Sequence, residues 1–158
     1  MKSPDELTDI FRARGLKVTP QRQLIFRVLH DELRHATAEA VHARASRDMP
    51  TMSLRTVYQT LNDLAAMGEI VQLDLGTGSS RFDTNLDAHQ HLVCAECGSV
   101  RDIVVDSADI ELAEATLEGF AVSSTDIVFR GRCASCAAGA RSDVPSTPPL
   151  SEETATHA

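Results

Sequence analysis

Residues 53–73 read Ser53-Leu54-Arg55-Thr56-Val57-Tyr58-Gln59-Thr60-Leu61-Asn62-Asp63-Leu64-Ala65-Ala66-Met67-Gly68-Glu69-Ile70-Val71-Gln72-Leu73, and this run decides the fold. Ser53 can cap a helix by accepting from a first-turn amide. Leu54, Val57, Leu61, Leu64 and Ala65 follow at helical spacing and form its expected buried face. Gly68 closes the helix, because only glycine takes the left-handed C-terminal position without strain. Ile70–Leu73 and Ser80–Asp83 then read as two short strands, with Leu75–Ser79 turning between them. Upstream, three more helices are expected. Ser3-Pro4-Asp5-Glu6 is a capping box ahead of Leu7, Ile10 and Phe11, ended by Gly15. Thr19-Pro20 starts the second helix, with Leu24, Ile25, Val28 and Leu29 on one face, and Thr37 the third, with Ala38, Val41 and Ala45 inward before Pro50.

Four helices and a hairpin make a winged helix, whose fourth helix is the one offered to a DNA major groove. Its outward residues, Arg55, Thr56, Tyr58, Gln59 and Asn62, carry donors, acceptors and one aromatic ring suited to phosphates and base edges. An ordinary solvated helix face would look the same. The rest of the chain reads as a smaller α/β unit. Strands are expected at His91–Cys94, Val100–Val104 and from Phe120 to Arg130, with a helix over 107–117 packing Ile110, Ala113 and Leu117 inward. Residues 139–158 are rich in Ala, Ser, Thr, Pro and acid, and are expected to be a disordered tail.

Two cysteine pairs, Cys94-x-x-Cys97 and Cys133-x-x-Cys136, hold all four cysteines. Paired thiolates at this spacing suit one tetrahedral zinc ion, provided the fold brings the pairs together. Disulfides would need an oxidising compartment, and Met1–Leu7 is polar and acidic, unlike a secretory leader. Asp83, His89, His91 and Asp102 form a second, harder group of nitrogen and oxygen donors, better matched to exchangeable iron or manganese. His89 and His91 share a face because side chains alternate along a strand. The 158-residue chain is 42% hydrophobic, contains no membrane-length apolar run and carries a formal net charge of −8. Ten Lys/Arg and nine Asp/Glu in residues 1–73 leave +1, against five and fourteen in residues 74–158, which leave −9. The acidity lies in the C-terminal half, so a DNA-contacting N-terminal half is compatible with the total.

Val18-Thr19-Pro20-Gln21-Arg22, Ser53-x-x-Thr56-Val57-Tyr58, Arg81-Phe82-Asp83, His89-x-His91-x-x-Cys94-x-x-Cys97-Gly98 and Cys133-x-x-Cys136 together resemble the ferric uptake regulator family, over about residues 5–138. The resemblance implies a homodimeric, metal-dependent transcriptional repressor of the α+β class. A winged-helix DNA-binding domain (1–84) would precede an α/β dimerisation and metal-binding domain (85–138). Structural zinc (Zn2+) would sit on Cys94, Cys97, Cys133 and Cys136. Regulatory Fe2+ or Mn2+ would sit on His35, Asp83, His89, His91 and Asp102, with His35 from the DNA-binding half. A ligand set gripping both domains favours one orientation of the winged helices. The partner would be a palindromic double-stranded DNA operator, without a membrane, in the cytoplasm.

Within the family, Asp83 and Asp102 stand where iron-sensing members usually have Glu, which resembles the peroxide-sensing branch. Ala88 and Gln90 replace residues that help iron-sensing members form a further metal site. Zinc-sensing relatives usually recruit a cysteine to the sensory site, and all four are committed here. The peroxide branch implies Fe(II)-catalysed oxidation of His35 and His89 to 2-oxo-histidine, ending repression, with Mn(II) supporting DNA binding only. Three alternatives stay open on the sequence. An iron-sufficiency repressor would use the same ligands. A zinc-dependent hydrolase would use His89, His91 and an Asp, although no HExxH helix is present. A zinc-ribbon module would make protein contacts only.

Overall fold

The computed structural model describes residues 1–31, 34–105, 119–122 and 125–139. Four helices come first: α1 (Pro4–Ala13), α2 (Pro20–Asp31), α3 (Ala38–Asp48) and α4 (Leu54–Ala66). Local chemistry starts each of them. Ser3 and Glu6 exchange both bonds of a capping box, and Thr37 and Ser53 cap α3 and α4 through the amides of Ala40 and Thr56. Thr19 Oγ1 accepts from Arg22 N at 3.3 Å. One core joins the four helices, built from Leu7, Phe11, Ile25, Phe26, Val41, Val57, Leu61 and Leu64, all essentially inaccessible. Arg22 fixes α2 to α4: it reaches Asp63 at 2.6 Å while its guanidinium lies over the Phe11 ring.

One expectation for α4 needs correction. Leu54 is 37% exposed and Ala65 only partly buried, while Thr60 is fully buried. Leu54 occupies the first position of the helix, ahead of the turn that meets the core. Thr60 enters the core because its hydroxyl donates to the carbonyl of Thr56 at 2.8 Å, which satisfies the polar group locally.

Two strands, β1 (Val71–Leu73) and β2 (Arg81–Asp83), form the antiparallel wing, with Val71 opposite Asp83. The wing is joined to the approach to α3 by a bridge between Ala36 and Phe82. A second sheet follows, of β3 (Gln90–Cys94), β4 (Val100–Ile103) and β5 (Val128–Gly131), in the order β4-β3-β5. β3 runs antiparallel to β4 and parallel to β5. A single turn, α5 (Ala134–Ala137), follows β5. The long strand expected from Phe120 is shorter than its apolar pattern suggests: the described residues before Val128 are not strand, and only the stretch that pairs with β3 is. The helix expected over 107–117 and the tail beyond Gly139 lie outside the described residues. No described helix is long and apolar enough to cross a membrane.

Candidate metal centres and nucleic-acid face

The two cysteine pairs, far apart in the chain, are brought together at one end of the second sheet. Cys94 ends β3, and the chain turns through Cys97 to Gly98, which takes a positive φ of 68°. That turn is closed by Gly98 N–H donating to the Cys94 carbonyl at 2.9 Å and by Cys94 N–H donating to the Ser99 carbonyl at 2.9 Å. Cys133 stands at the N-terminus of α5 and Cys136 within it. Because β5 is parallel to β3, with Gly131 opposite Cys94, both pairs leave the sheet at the same end.

Each pair of the four sulfurs lies within 4.8 Å, and Cys97 Sγ is 3.7 Å from Cys133 Sγ. A disulfide would need about 2.0 Å. Sulfurs at the corners of a zinc tetrahedron, with bonds of about 2.3 Å, are about 3.8 Å apart. The thiols are also electrostatically unequal. Amides of Cys97, Cys133 and Glu96 hold the Cys94 thiol down to about 6, one of them the Cys133 N–H at 3.3 Å. Cys97 is lowered by Ser99, whereas Cys136 is pushed up by its neighbouring cysteines, first Cys133. Arg132 and Arg81 are the cations that act on these sulfurs from outside the cluster, and a divalent ion would meet all four directly.

The second cluster draws on three parts of the fold. His35 precedes α3 in a left-handed conformation, φ 50°, unusual for a residue with a β-carbon. Asp83 ends β2, His89 and His91 come one residue apart on the approach to and start of β3, and Asp102 lies on β4 directly opposite His91. One donor atom from each of the five falls within 4.8 Å of all the others. His35 Nε2 is 2.7 Å from Asp102 Oδ1 and 3.4 Å from Asp83 Oδ2. His89 Nε2 is 2.9 Å from Asp83 Oδ2 and 3.0 Å from His91 Nε2. Adjacent ligands of a six-coordinate ion with bonds of about 2.1 Å are about 3.0 Å apart.

Two observations test the fit of a cation. His35 Nε2 and Asp102 Oδ1 are buried, and despite their separation neither makes a hydrogen bond. A buried polar pair aimed at a common point, rather than at each other, lacks the partner that burial demands. The donor set, two carboxylates and three imidazoles, also balances a divalent ion when the rings are neutral. Burial raises the Asp83 carboxyl, but the His35 ring, the Asn85 amide and His91 outweigh it and hold the group well below the usual carboxylate range. Burial lowers His89, yet the Asp87 carbonyl and the charges of Asp83 and Asp102 leave it raised overall.

Sequence reasoning missed the residues that orient these ligands. Asn85 N–H donates to Asp83 Oδ1 at 2.9 Å, and its side-chain amide donates to Asp102 Oδ2 at 3.4 Å. His89 Nδ1 lies 2.7 Å from the Asp87 carbonyl, which leaves Nε2 for a metal. Gln90 turns elsewhere, its Oε1 accepting from Val105 N at 3.0 Å. His42, on α3, is half-buried, with Nε2 3.0 Å from the Met52 carbonyl.

On α4, Arg55, Tyr58, Gln59 and Asn62 are exposed and Thr56 is partly so. Thr56 Oγ1 is 2.8 Å from Ser53 Oγ, and the Tyr58 hydroxyl donates to Glu39 Oε1 on α3 at 2.6 Å. The bond lowers Glu39 and raises Tyr58 from their ordinary values. It also sets the ring's direction on the exposed face.

Comparison with known proteins settles the family. The profile of the Ferric uptake regulator family matches residues 13–130. The chain belongs to the ferric uptake regulator family. It is 33% identical over 126 residues to the peroxide-responsive repressor PerR of Staphylococcus aureus, covering 79% of this chain and 85% of that one. Its fold is similar to that of the Helicobacter pylori ferric uptake regulator, described as having three functional metal-binding sites (TM-score 0.71, 22% identity, 91% of this chain and all of that one). It is also similar to the Pseudomonas aeruginosa ferric uptake regulator with manganese (TM-score 0.60, 28% identity, 80% and 97%). Members of the family are metal-responsive, dimeric, DNA-binding transcription regulators. The protein is therefore a regulator and not an enzyme, which sets aside the hydrolase and the protein-only zinc ribbon.

Proposed function

We propose that this family member is a peroxide-sensing repressor. Residues 1–84 form its DNA-binding domain, 85–138 its dimerisation domain and 139–158 a tail. Zinc on Cys94, Cys97, Cys133 and Cys136 holds the second domain together. The regulatory ion, Fe2+ or Mn2+, is held by His35, Asp83, His89, His91 and Asp102. The observation that carries the reading is the make-up of this cluster: two short carboxylates, three imidazoles and no cysteine. The likeness to the S. aureus peroxide-responsive repressor supports it.

The ligands are shared between the approach to α3, the wing and the second sheet, so ordering them orders α4 relative to the sheet. Loss of any one ligand relaxes that orientation. Leu92 and Phe129 are register partners on neighbouring strands and are 39% and 42% exposed, which suits the sheet face to a second copy of the chain. Two copies present two α4 helices and call for a palindromic operator in the cytoplasm. Arg55, Thr56, Tyr58, Gln59 and Asn62 supply the contacts.

When bound, Fe(II) would supply the one-electron reduction of peroxide that Mn(II) does not. His35 and His89 would be the imidazoles oxidised: overall, one peroxide oxygen adds at the ring carbon between the nitrogens and the other leaves as water, with the iron regaining the electron it lends, and the oxidised ring is lost as a donor. The test compares the two metal forms after peroxide. The Fe(II) protein should release operator DNA, and peptides carrying His35 or His89 should gain the mass of one oxygen atom. The Mn(II) protein should keep both its mass and its DNA. Oxidation confined to Cys94 or Cys133, and equal with either metal, would show that the zinc thiolates respond instead.

A further inference from the structure

Arg81 touches both metal clusters, and neither cluster's chemistry accounts for it. It lies on β2, two residues before Asp83. One guanidinium nitrogen, Nη1, donates to the main-chain carbonyl of His35 at 3.0 Å. The other, Nη2, donates to the main-chain carbonyl of Gly98 at 2.6 Å, in the turn that closes the Cys94–Cys97 knuckle. Nε reaches Thr77 Oγ1 at 3.4 Å. Among the described residues no carboxylate pairs with this half-buried cation.

The contact is close on the Gly98 side. Gly98 has φ 68°, and a β-carbon there would sit 3.4 Å from Arg81 Nη2. On the other side, β2 holds two successive carbonyls before α3: Phe82 N–H donates to that of Ala36 at 2.8 Å, and Arg81 takes that of His35. These bonds hold the carbonyl of His35, whose backbone is left-handed and whose Nε2 is buried without a hydrogen bond, and the carbonyl of the residue after it. A planar guanidinium can span two acceptors in fixed directions, which a flexible ammonium cannot.

We propose that Arg81 is a positioning residue that couples the two metal centres, setting the direction of His35 by reference to the zinc knuckle. A filled cysteine site carries excess negative charge, and Arg81 is drawn to it. The same guanidinium then fixes the His35 carbonyl and, through it, the imidazole. The inference rests on the reading of the two clusters as a zinc site and a regulatory site.

The test uses the full-length dimer prepared with Co(II) in the cysteine site, whose visible bands report thiolate geometry, and Mn(II) as the regulatory probe, which absorbs negligibly there. In the parent protein, Mn(II) binding should shift the cobalt bands. In Arg81→Met that shift should vanish, with cobalt content and dimer mass unchanged and the Mn(II) dissociation constant raised about tenfold. Should Arg81→Met fail to hold cobalt, Arg81→Lys keeps the charge beside the thiolates without spanning both carbonyls, and the same result is expected of it. No band shift in the parent overturns the coupling. So does a variant that retains the shift or binds Mn(II) as the parent does. Asp83→Asn separates the two levels: if it binds Mn(II) like the parent, the regulatory site itself is misassigned, and the link falls with it.

Discussion

Asp102 is the residue on which the regulatory cluster is most finely balanced. Its Oδ1 lies 2.7 Å from His35 Nε2, and its Oδ2 is held by Asn85 and faces Arg34 at 3.7 Å. An added methylene would carry the carboxylate further over His35 and narrow the approach for peroxide. Asp102→Glu should keep Mn(II)-dependent DNA binding while losing most of its release by peroxide, read by operator binding before and after treatment. His89 gives a second expectation. Its raised value means that a proton competes with the metal for Nε2 at a higher pH than for a free imidazole. Mn(II) affinity should fall as pH is lowered through that value and level off above it, a trend that calorimetry between about pH 6 and pH 8 will resolve. An affinity flat across that range would mean His89 is not a ligand.

Helix starts follow from chemistry within four residues of each cap, which is why Ser3, Thr37 and Ser53 could be read directly. Ser53→Ala removes the acceptor for Thr56 N–H at 3.1 Å and should cost about 1 kcal/mol in thermal or denaturant unfolding. Recognition by α4 is the more demanding expectation at this scale. Arg55→Ala should weaken operator binding, with zinc content and dimer mass intact, and reduce the slope of log affinity against log salt by about one if Arg55 meets a phosphate. Unchanged affinity across a salt titration would leave α4 as a solvated face. Strand lengths were less legible. The apolar run before Arg130 suggested one long strand, but a strand needs a partner as well as a pattern, and β3 supplies one only opposite Val128–Gly131.

At the scale of the whole molecule, the second sheet is where a structural zinc would contribute most to folding. Its buried apolar side chains among the described residues are few, chiefly Val93 and Cys94, whereas the helical core has many. Binding of a structural zinc can contribute on the order of 10 kcal/mol to folding. Replacing Cys136 by Ser should therefore abolish zinc binding and the dimer together, while the helices survive because their core is separate. Size-exclusion mass and far-ultraviolet dichroism check both halves of that statement. A metal-free chain that stays a folded dimer would end the structural role for zinc.

The sequence by itself determined the order of helices, wing and sheet, and the chemical character of both donor sets. Caps, apolar spacing and cysteine pairing are local signals, carried by residues a few positions apart. It did not determine His35's part: on spacing alone that residue was a histidine before a helix, and only resemblance to a family connected it to His89 and His91. Tertiary structure decided what lies between distant segments. The parallel pairing of β3 with β5 brings Cys133 to Cys94, the register of β4 sets Asp102 opposite His91, and Arg81 reaches His35 and Gly98 at once. Asn85's bond to Asp83 is local, two residues apart, but its reach to Asp102 and Arg81's reach to His35 and Gly98 leave no mark in the chain. A long-range hydrogen bond leaves no periodicity, because its two ends are selected by packing and not by their neighbours.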